Sequence, residues 1–167
     1  MSGGVLDSSS VGRVRDALTR AGIAAQIIEL PGAARTAQAA ADFIGCKLGQ
    51  IANSLVFRAQ TSASAVLVMS SGANRVDTER LSAILGEPVA KADAEFVRSH
   101  TGFAIGGVAP VGHTGEVRKF VDQALGKHEV IWAAAGHPHT VFRLTYAQLL
   151  SITAAVAVDV AATIRLP

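Results

Sequence analysis

Short apolar segments typical of strands alternate irregularly with short segments of helical periodicity along the 167 residues of the chain. Strands are predicted at residues 25–30, 52–59, 65–69, 117–121, 129–134, 140–144 and 154–160. Helices are predicted to begin after residues that can cap an N-terminus: Ser9 or Ser10, Thr36, Asp77, Asp93 and Thr145. Polar turns at 60–64 and 136–139 join two pairs of strands as hairpins. This order predicts one α/β domain at residues 9–167, with helices outside a curved mixed sheet, after a flexible tail at residues 1–8.

The composition and the charge narrow the class of protein and of partner. Half of the residues are hydrophobic, which is enough for one sizeable core. Fifteen Lys and Arg against 13 Asp and Glu, with a pI near 9.0, permit an anionic partner without requiring one. Because the chain has no block of five basic residues, contact with nucleic acid needs a patch assembled by folding. Residues that could form it include Arg13, Arg15, Arg20, Arg35, Lys47 and Arg58, and solvated surface charges are the competing interpretation.

Several common kinds of site are excluded by the motifs that the chain lacks. Cys46 is the single cysteine and is expected in the core, so neither an internal disulfide nor a cysteine-rich zinc cage can form. The chain contains neither the phosphate-binding loop ending in Gly-Lys-Ser/Thr nor the Gly-x-Gly-x-x-Gly turn of dinucleotide-binding domains. No Gly-x-Ser-x-Gly elbow surrounds Ser70 and Ser71, which are expected to form a turn.

Histidines offer one further type of site, a metal centre. His113, His137 and His139 could meet at a metal, but Pro138 places the last two in a turn and no carboxylate or cysteine completes the ligand set. No metal or other cofactor is therefore expected. No apolar run approaches the length of a membrane span, so the predicted location is cytoplasmic, without a membrane partner.

The segment 104–113, Ala-Ile-Gly-Gly-Val-Ala-Pro-Val-Gly-His, has the composition of a ligand-binding loop. Glycine allows dihedral angles and close approaches that a Cβ atom would block, and Pro110 fixes one φ angle and lacks a donor. Backbone amides in such a loop can be directed at a bound group. A simple tight turn explains the same composition, and the sequence leaves both interpretations open.

Five segments, in this order, carry a resemblance to a known family. They are Thr36 with the alanine-rich helix after it, and the segments 49–57 (GQIANSLVF), 71–77 (SGANRVD), 106–113 (GGVAPVGH) and 134–136 (AAG). Over about residues 10–160 the chain resembles the YbaK / prolyl-tRNA synthetase-associated editing domain family. The resemblance implies a barrel-like α/β fold and hydrolysis of the ester that joins a wrong amino acid to its tRNA. The predicted partner is thus aminoacylated tRNA rather than DNA.

The resemblance also implies roles for individual residues. The amides of Gly106 and Gly107 would hold the substrate carbonyl, with Asn53 beside them, and preorganised amides are usually the largest catalytic term. Thr36 would line the amino-acid pocket, and His113 would either anchor the loop or take part in the chemistry. The other residues expected to contact the substrate are Ser54, Ala73, Val108, Pro110, Gly112, Gly136 and His139.

Asn53 departs from the family pattern, because many members carry a lysine at this position. Asparagine can donate a hydrogen bond but lacks the charge that strengthens such a bond. One hypothesis is a deacylase that acts in trans on mischarged tRNA. The alternative is a weakened member that binds aminoacyl-tRNA, or a small amino-acid-like ligand, without turnover. A structural domain without a pocket is a third hypothesis. The sequence leaves open which substrate is used and which oligomeric state, a homodimer included, the protein adopts.

Overall fold

The computed structural model describes residues 4–162. Its helices are α1 (Ser9–Arg20), α2 (Ala37–Ile44), α3 (Thr78–Leu85), α4 (Ala94–Thr101) and α5 (Tyr146–Thr153). Its strands are β1 (Ile27–Glu29), β2 (Ile51–Ala59), β3 (Ala65–Ser71), β4 (Val89–Lys91), β5 (Val117–Asp122), β6 (Ile131–Ala134), β7 (Thr140–Leu144) and β8 (Val156–Val158). Short 3₁₀ helices occupy Val5–Asp7, Leu48–Gln50 and Gln123–Lys127.

The helix starts follow the caps that the sequence predicts, with one exception. Thr36, Asp77, Asp93 and Thr145 each accept a hydrogen bond from a backbone N–H in the first turn of their helix. The cap of α1 is Ser8 rather than Ser9 or Ser10, because the Ser8 hydroxyl is the one that accepts from the Val11 amide. The 3₁₀ helix at Val5–Asp7 lies within the segment predicted as a tail, and residues 1–3 lie outside the described part.

The sheet is mixed, as predicted, but it is open. Its strand order is β1-β7-β6-β2-β3-β5-β8, and β4 pairs with β2 outside this path. The expected hairpins β2–β3 and β6–β7 are antiparallel, whereas β2–β6, β3–β5 and β5–β8 are parallel. Within residues 4–162, the edge strands β1 and β8 do not pair with each other. The predicted α/β fold with helices around a mixed sheet is therefore confirmed, and this sheet is not closed.

The core lies on both faces of this sheet. Helices α1, α4 and α5 cover one face, where Leu67 and Met69 of β3 are fully buried. Helix α3 covers the opposite face against Val66 and Val68, and α2 packs beside it over Ile51. Because both faces are covered, residues 65–69 of β3 form a continuous apolar run rather than an alternating one. No helix in residues 4–162 is long and apolar enough to cross a membrane.

One edge of β2 has a gap between two partner strands. Strand β6 pairs with Ile51 and Ala52, and β4 pairs with residues 57–59 on the same edge, since β3 occupies the other edge. The Ala92 N–H donates to the Val56 carbonyl across this edge, at 3.2 Å. Because backbone groups alternate between the two edges along a strand, the N–H and C=O of Ser54 also point to the gapped edge. The segment Asn53 to Leu55 therefore has no paired strand on this edge and faces a space inside the molecule.

Candidate functional site

A cavity of about 300 Å³ opens at the gap in the sheet. The first turn of α2, the gapped segment of β2, the start of the glycine loop and the β6–β7 hairpin form its walls. Six of the residues that line it are alanines: Ala34, Ala37, Ala40, Ala52, Ala133 and Ala134. Small side chains on several walls leave room for a small group. We call this space the alanine cavity.

The glycine loop enters the alanine cavity through Gly106 and Val108. Residues 104–107 form a turn in which the Gly107 N–H donates to the Ala104 carbonyl at 2.9 Å. Gly106, at the third position of this turn, has φ of 90°, which glycine adopts without strain. The Gly107 amide is thus used inside the loop, and this corrects the expectation that it is free to hold a carbonyl. The amides of Gly106 and Val108 have no hydrogen-bond partner among the described residues.

Close backbone contacts hold the loop in place. A Cβ atom on Gly107 would lie 2.8 Å from the Cα and carbonyl carbon of His137. Arg13 of α1 donates from Nη2 to the Gly102 carbonyl at 2.6 Å and from Nε to the Gly112 carbonyl at 3.2 Å. Its guanidinium also lies over the Phe103 ring, 5.0 Å from the centroid. Arg13, one of the candidates for nucleic-acid contact, therefore clamps both ends of the loop.

His113 anchors the loop and does not line the alanine cavity. Its Nε2 lies 2.7 Å from the Ala109 carbonyl, which can only accept, so this nitrogen carries the proton. Burial lowers the pKa of His113 to about 4, and the nearby charges of Lys119 and Arg13 act in the same direction. The imidazole is neutral near pH 7. Of the two roles left open by the sequence, the geometry supports anchoring.

Three polar side chains predicted from the sequence do line the cavity: Thr36, Asn53 and Ser54. The Thr36 hydroxyl accepts from the Ala39 amide at 3.1 Å and so also caps α2. The Ser54 Oγ is buried without a hydrogen-bond partner in the described part of the chain, a state that costs about 1–3 kcal/mol. The Asn53 carboxamide likewise has no partner there. Two unpaired polar groups beside two unpaired amides are an arrangement that a polar ligand would satisfy.

The remaining predicted contacts lie outside the alanine cavity. Gly136, with φ of 103°, approaches the Ser10 carbonyl so closely that a Cβ atom would lie 2.8 Å from it. His139 donates its backbone N–H to Nδ1 of His137, and the two rings lie 5.2 Å apart. The others are Ala73 in the turn after β3, Gly107, and Pro110, Gly112 and His113 in the second half of the loop. No group of three metal-binding side chains occurs among residues 4–162.

Sequence reasoning missed Lys91 and Ile105, which both line the cavity. Lys91 is the last residue of β4, opposite Phe57 in the register with β2. Ile105 is a large apolar side chain that is 53% exposed. The position of Lys91 follows from a strand pairing between distant segments, so no local signal could have found it. Ile105, by contrast, stands beside the two glycines of the loop.

Comparisons with known proteins agree with this geometry. The aminoacyl-tRNA editing domain family matches residues 32–152. A solved structure described as a candidate trans-editing enzyme for prolyl tRNA synthetase is 40% identical, with a TM-score of 0.86 over 93% of this chain and 99% of that chain. The hypothetical protein APE2540, 23% identical, shares the fold, with a TM-score of 0.83 over 90% of this chain and 99% of that one.

A curated relative extends the comparison to a bacterial protein. YwhH of Bacillus subtilis (strain 168), which is uncharacterised, is 27% identical over 123 residues, covering 74% of this chain and 78% of YwhH. The family match covers most of the chain, from the approach to α2 through most of α5. The resemblance inferred from five short segments is confirmed: the chain belongs to the aminoacyl-tRNA editing domain family.

Proposed function

We propose that the protein is a deacylase that acts in trans on mischarged tRNA and hydrolyses the aminoacyl ester at the gap of the sheet. The observation that carries the proposal is the alanine cavity, which is lined by Gly106 and Val108, whose amides are unpaired, and by Asn53 and Ser54, whose polar side-chain groups are unpaired. These four groups are neutral hydrogen-bonding groups, and the charged residues that line the same cavity are the cations Arg35 and Lys91. The four neutral groups suit a reaction whose transition state carries its charge on one oxygen.

In the proposed reaction, the Gly106 and Val108 amides donate to the carbonyl oxygen of the ester. Water forms the new C–O bond, and the oxyanion of the tetrahedral intermediate is stabilised by donors already in position. The bond to the ribose oxygen then breaks, this oxygen takes up one proton of the water and becomes a hydroxyl, and the amino acid leaves as a carboxylate while the second proton passes to solvent. No Asp, Glu or His lines the cavity, so groups of the substrate or ordered water transfer the protons. Asn53 and Ser54 orient the ester by hydrogen bonds.

The walls of the cavity suit a small amino-acid side chain. Six of the 20 residues that line it are alanines, and Thr36 and Thr140 add hydroxyl groups. The expected substrates are therefore tRNAs charged with alanine, serine, threonine or cysteine. Discrimination among them depends on single methyl or hydroxyl groups, worth about 1–3 kcal/mol each. Because aminoacyl-tRNAs are made and used in the cytoplasm, the proposal includes a cytoplasmic location.

A second candidate function is binding of aminoacyl-tRNA, or of a small amino-acid-like ligand, without turnover. Asn53 favours it, since this position lacks the positive charge that many family members have there. Binding to tRNA would then weaken steeply with salt, because phosphate contacts release counterions. We place hydrolysis first because the two amides that would polarise the carbonyl remain unpaired.

The two functions are separated by a hydrolysis assay with tRNAs charged with Ala, Ser, Thr and Cys. The deacylase hypothesis predicts release of at least one amino acid, and a lower rate for Ser54→Ala and Asn53→Ala. Gln38→Ala is the matched control, because Gln38 is exposed on α2, donates a side-chain hydrogen bond to Asp42 and does not line the cavity. No release across the panel at high protein concentration would rule out the deacylase, and salt-dependent tRNA binding in the same samples would then support the alternative.

A further inference from the structure

Asp122, the last residue of β5, is a buried acidic residue that the proposed reaction does not use. It is 1% exposed, and it does not line the alanine cavity. No Lys, Arg or His forms an ion pair with it in residues 4–162. Burying a carboxylate without a cationic partner is costly, so its hydrogen bonds have to stabilise it. The positions of these bonds show what the side chain holds in place.

The two oxygens of Asp122 bind different parts of the chain. Oδ1 accepts from the Ala124 N–H at 2.9 Å and caps the 3₁₀ helix that follows β5. Oδ2 accepts from the Ser71 N–H at 3.1 Å and from Nδ2 of Asn74 at 3.3 Å. These two donors belong to the turn at residues 71–74, in which the Asn74 N–H donates to the Ser71 carbonyl at 2.9 Å. One oxygen of the carboxylate therefore holds this turn at the end of β3.

The same turn is bonded to the chain at the start of β2. The Ser71 hydroxyl donates to the Gly49 carbonyl at 3.0 Å, and the Gly72 N–H donates to the Ile51 carbonyl at 2.8 Å. Gly72 also lies close to α2: a Cβ atom added to it would be 2.9 Å from the Cβ of Ala37 and 3.3 Å from that of Ile51. The turn thus contacts the first residue of α2 and the first residue of β2 together.

These contacts reach the walls of the alanine cavity. Ala37 and Ile51 both line it, whereas no residue of the turn does. Ile51 is two residues before Asn53 in β2, so the two side chains point to the same side of the sheet. Because a close-packed interior leaves no free space to absorb a shift, movement of the turn would displace both Ala37 and the strand that carries Asn53.

We propose that Asp122 is a positioning residue for deacylation: its carboxylate holds the turn at residues 71–74, and the turn sets where α2 and β2 begin at the alanine cavity. This proposal rests on the proposed deacylase function and adds a residue that acts through others. Its effect belongs to the chemical step, because an ester reacts well only when its carbonyl is closely aligned with the groups that stabilise the oxyanion.

Asp122→Asn separates this role from capping of the 3₁₀ helix. Its remaining oxygen can accept from Ala124, but its NH₂ group then faces the donors of Ser71 and Asn74. We expect kcat for deacylation to fall about tenfold, since a misplacement of about 1 Å can cost about 100-fold. KM should change little, because phosphate contacts away from the turn supply most of the affinity for tRNA.

Asn74→Ala is the second variant, and it leaves the charge of the protein unchanged. It removes one of the two bonds between Asp122 and the turn, so kcat should fall about threefold. This variant tests the proposal even if Asp122→Asn does not fold, since the carboxylate keeps its bonds to Ser71 and Ala124.

Val66→Ala is the control for a loss of stability alone. Val66 is fully buried, lies five residues before Ser71 in β3 and does not line the alanine cavity. The truncation should lower the midpoint of urea unfolding without changing kcat in the folded protein. If Asn74→Ala, or a folded Asp122→Asn, kept the parent kcat as Val66→Ala is expected to do, the proposal would be overturned.

Amide NMR spectra of the variants test the proposal without turnover. We expect both substitutions to shift the signals of Ala37, Ile51 and Asn53 in addition to those of the turn. Shifts confined to residues 71–74 and 122–124 would overturn the proposal and leave the deacylase function standing. Shifts that extend to the alanine cavity in a protein without any deacylation would instead support the positioning by Asp122 and remove the reaction.

Discussion

Replacing Gly107 with alanine tests whether the position of the glycine loop depends on contact with the β6–β7 hairpin. The added Cβ would lie 2.8 Å from two main-chain carbons of His137 and 2.9 Å from its nitrogen. These atoms cannot rotate away as the end of a side chain can. Gly107 is not among the glycines with positive φ, so the substitution changes the steric contact without forcing a strained backbone angle.

The size of the effect follows from the distance that the loop must move. Ordinary contact begins at 3.4 Å, so the loop or the hairpin must shift by about 0.6 Å, and a misplacement of 1 Å in an active site can cost about 100-fold in rate. We expect kcat/KM for deacylation to fall about tenfold. Overpacking of this kind should also lower the free energy of unfolding by about 1–3 kcal/mol. Urea unfolding and the deacylation assay measure the two effects separately.

Gly12→Ala is the matched control, because nothing lies within 4 Å of its added Cβ and the residue is inside α1. It should increase stability by about 0.5–1 kcal/mol, the usual gain from alanine in a helix, and leave activity unchanged. If Gly107→Ala matched the parent in both assays, the close contact with His137 would not determine the position of the loop, and the argument that it does would be refuted.

Three other substitutions have expected outcomes. Arg13→Met should lower the free energy of unfolding by about 2–3 kcal/mol and reduce kcat, because the carbonyls of Gly102 and Gly112 lose the donor that they share. A urea unfolding curve that matches the parent would contradict this role. His113 has a pKa of about 4 in the folded protein, whereas in the unfolded chain the same imidazole takes up a proton below about pH 6.5. The free energy of unfolding should therefore fall by up to roughly 3 kcal/mol as the pH drops from 6.5 to 4. His113→Gln keeps an N–H donor but does not titrate, and unfolding curves at pH 4.5 and 7.5 should show a smaller pH effect; an unchanged one would refute the assignment. Asn53→Lys should raise tRNA affinity or deacylation about tenfold through a charge-assisted bond, and no change in either would place Asn53 away from the substrate.

The helix starts were predictable because capping is a local interaction. Thr36, Asp77, Asp93 and Thr145 each accept a hydrogen bond from an amide no more than three residues ahead, so the residue type and its position decide the result. The error at α1 is of the same local kind: three consecutive serines can all cap, and the first one does. The two hairpins were equally predictable, since in each of them a short polar turn joins neighbouring apolar segments.

The composition of the loop predicted its tight turn but not which amides stay free. The Gly107 N–H donates to the Ala104 carbonyl because the four-residue turn closes there. Glycine at the third position of such a turn is a signal that the sequence does contain. No local pattern in the sequence predicted that Arg13 would bind both ends of the loop. The guanidinium reaches carbonyls that are 89 and 99 residues away along the chain.

By itself, the sequence determined the elements, their caps, the mixed α/β class and the family, because each depends on residues close together in the chain or on short motifs. Only the tertiary structure decided that the sheet stays open and that β2 has a gap between β6 and β4. It also decided that Asn53, Ser54 and Lys91 meet beside the free amides. Strand register between distant segments sets these positions, and that register is chosen by the packing of the whole core rather than by any local pattern.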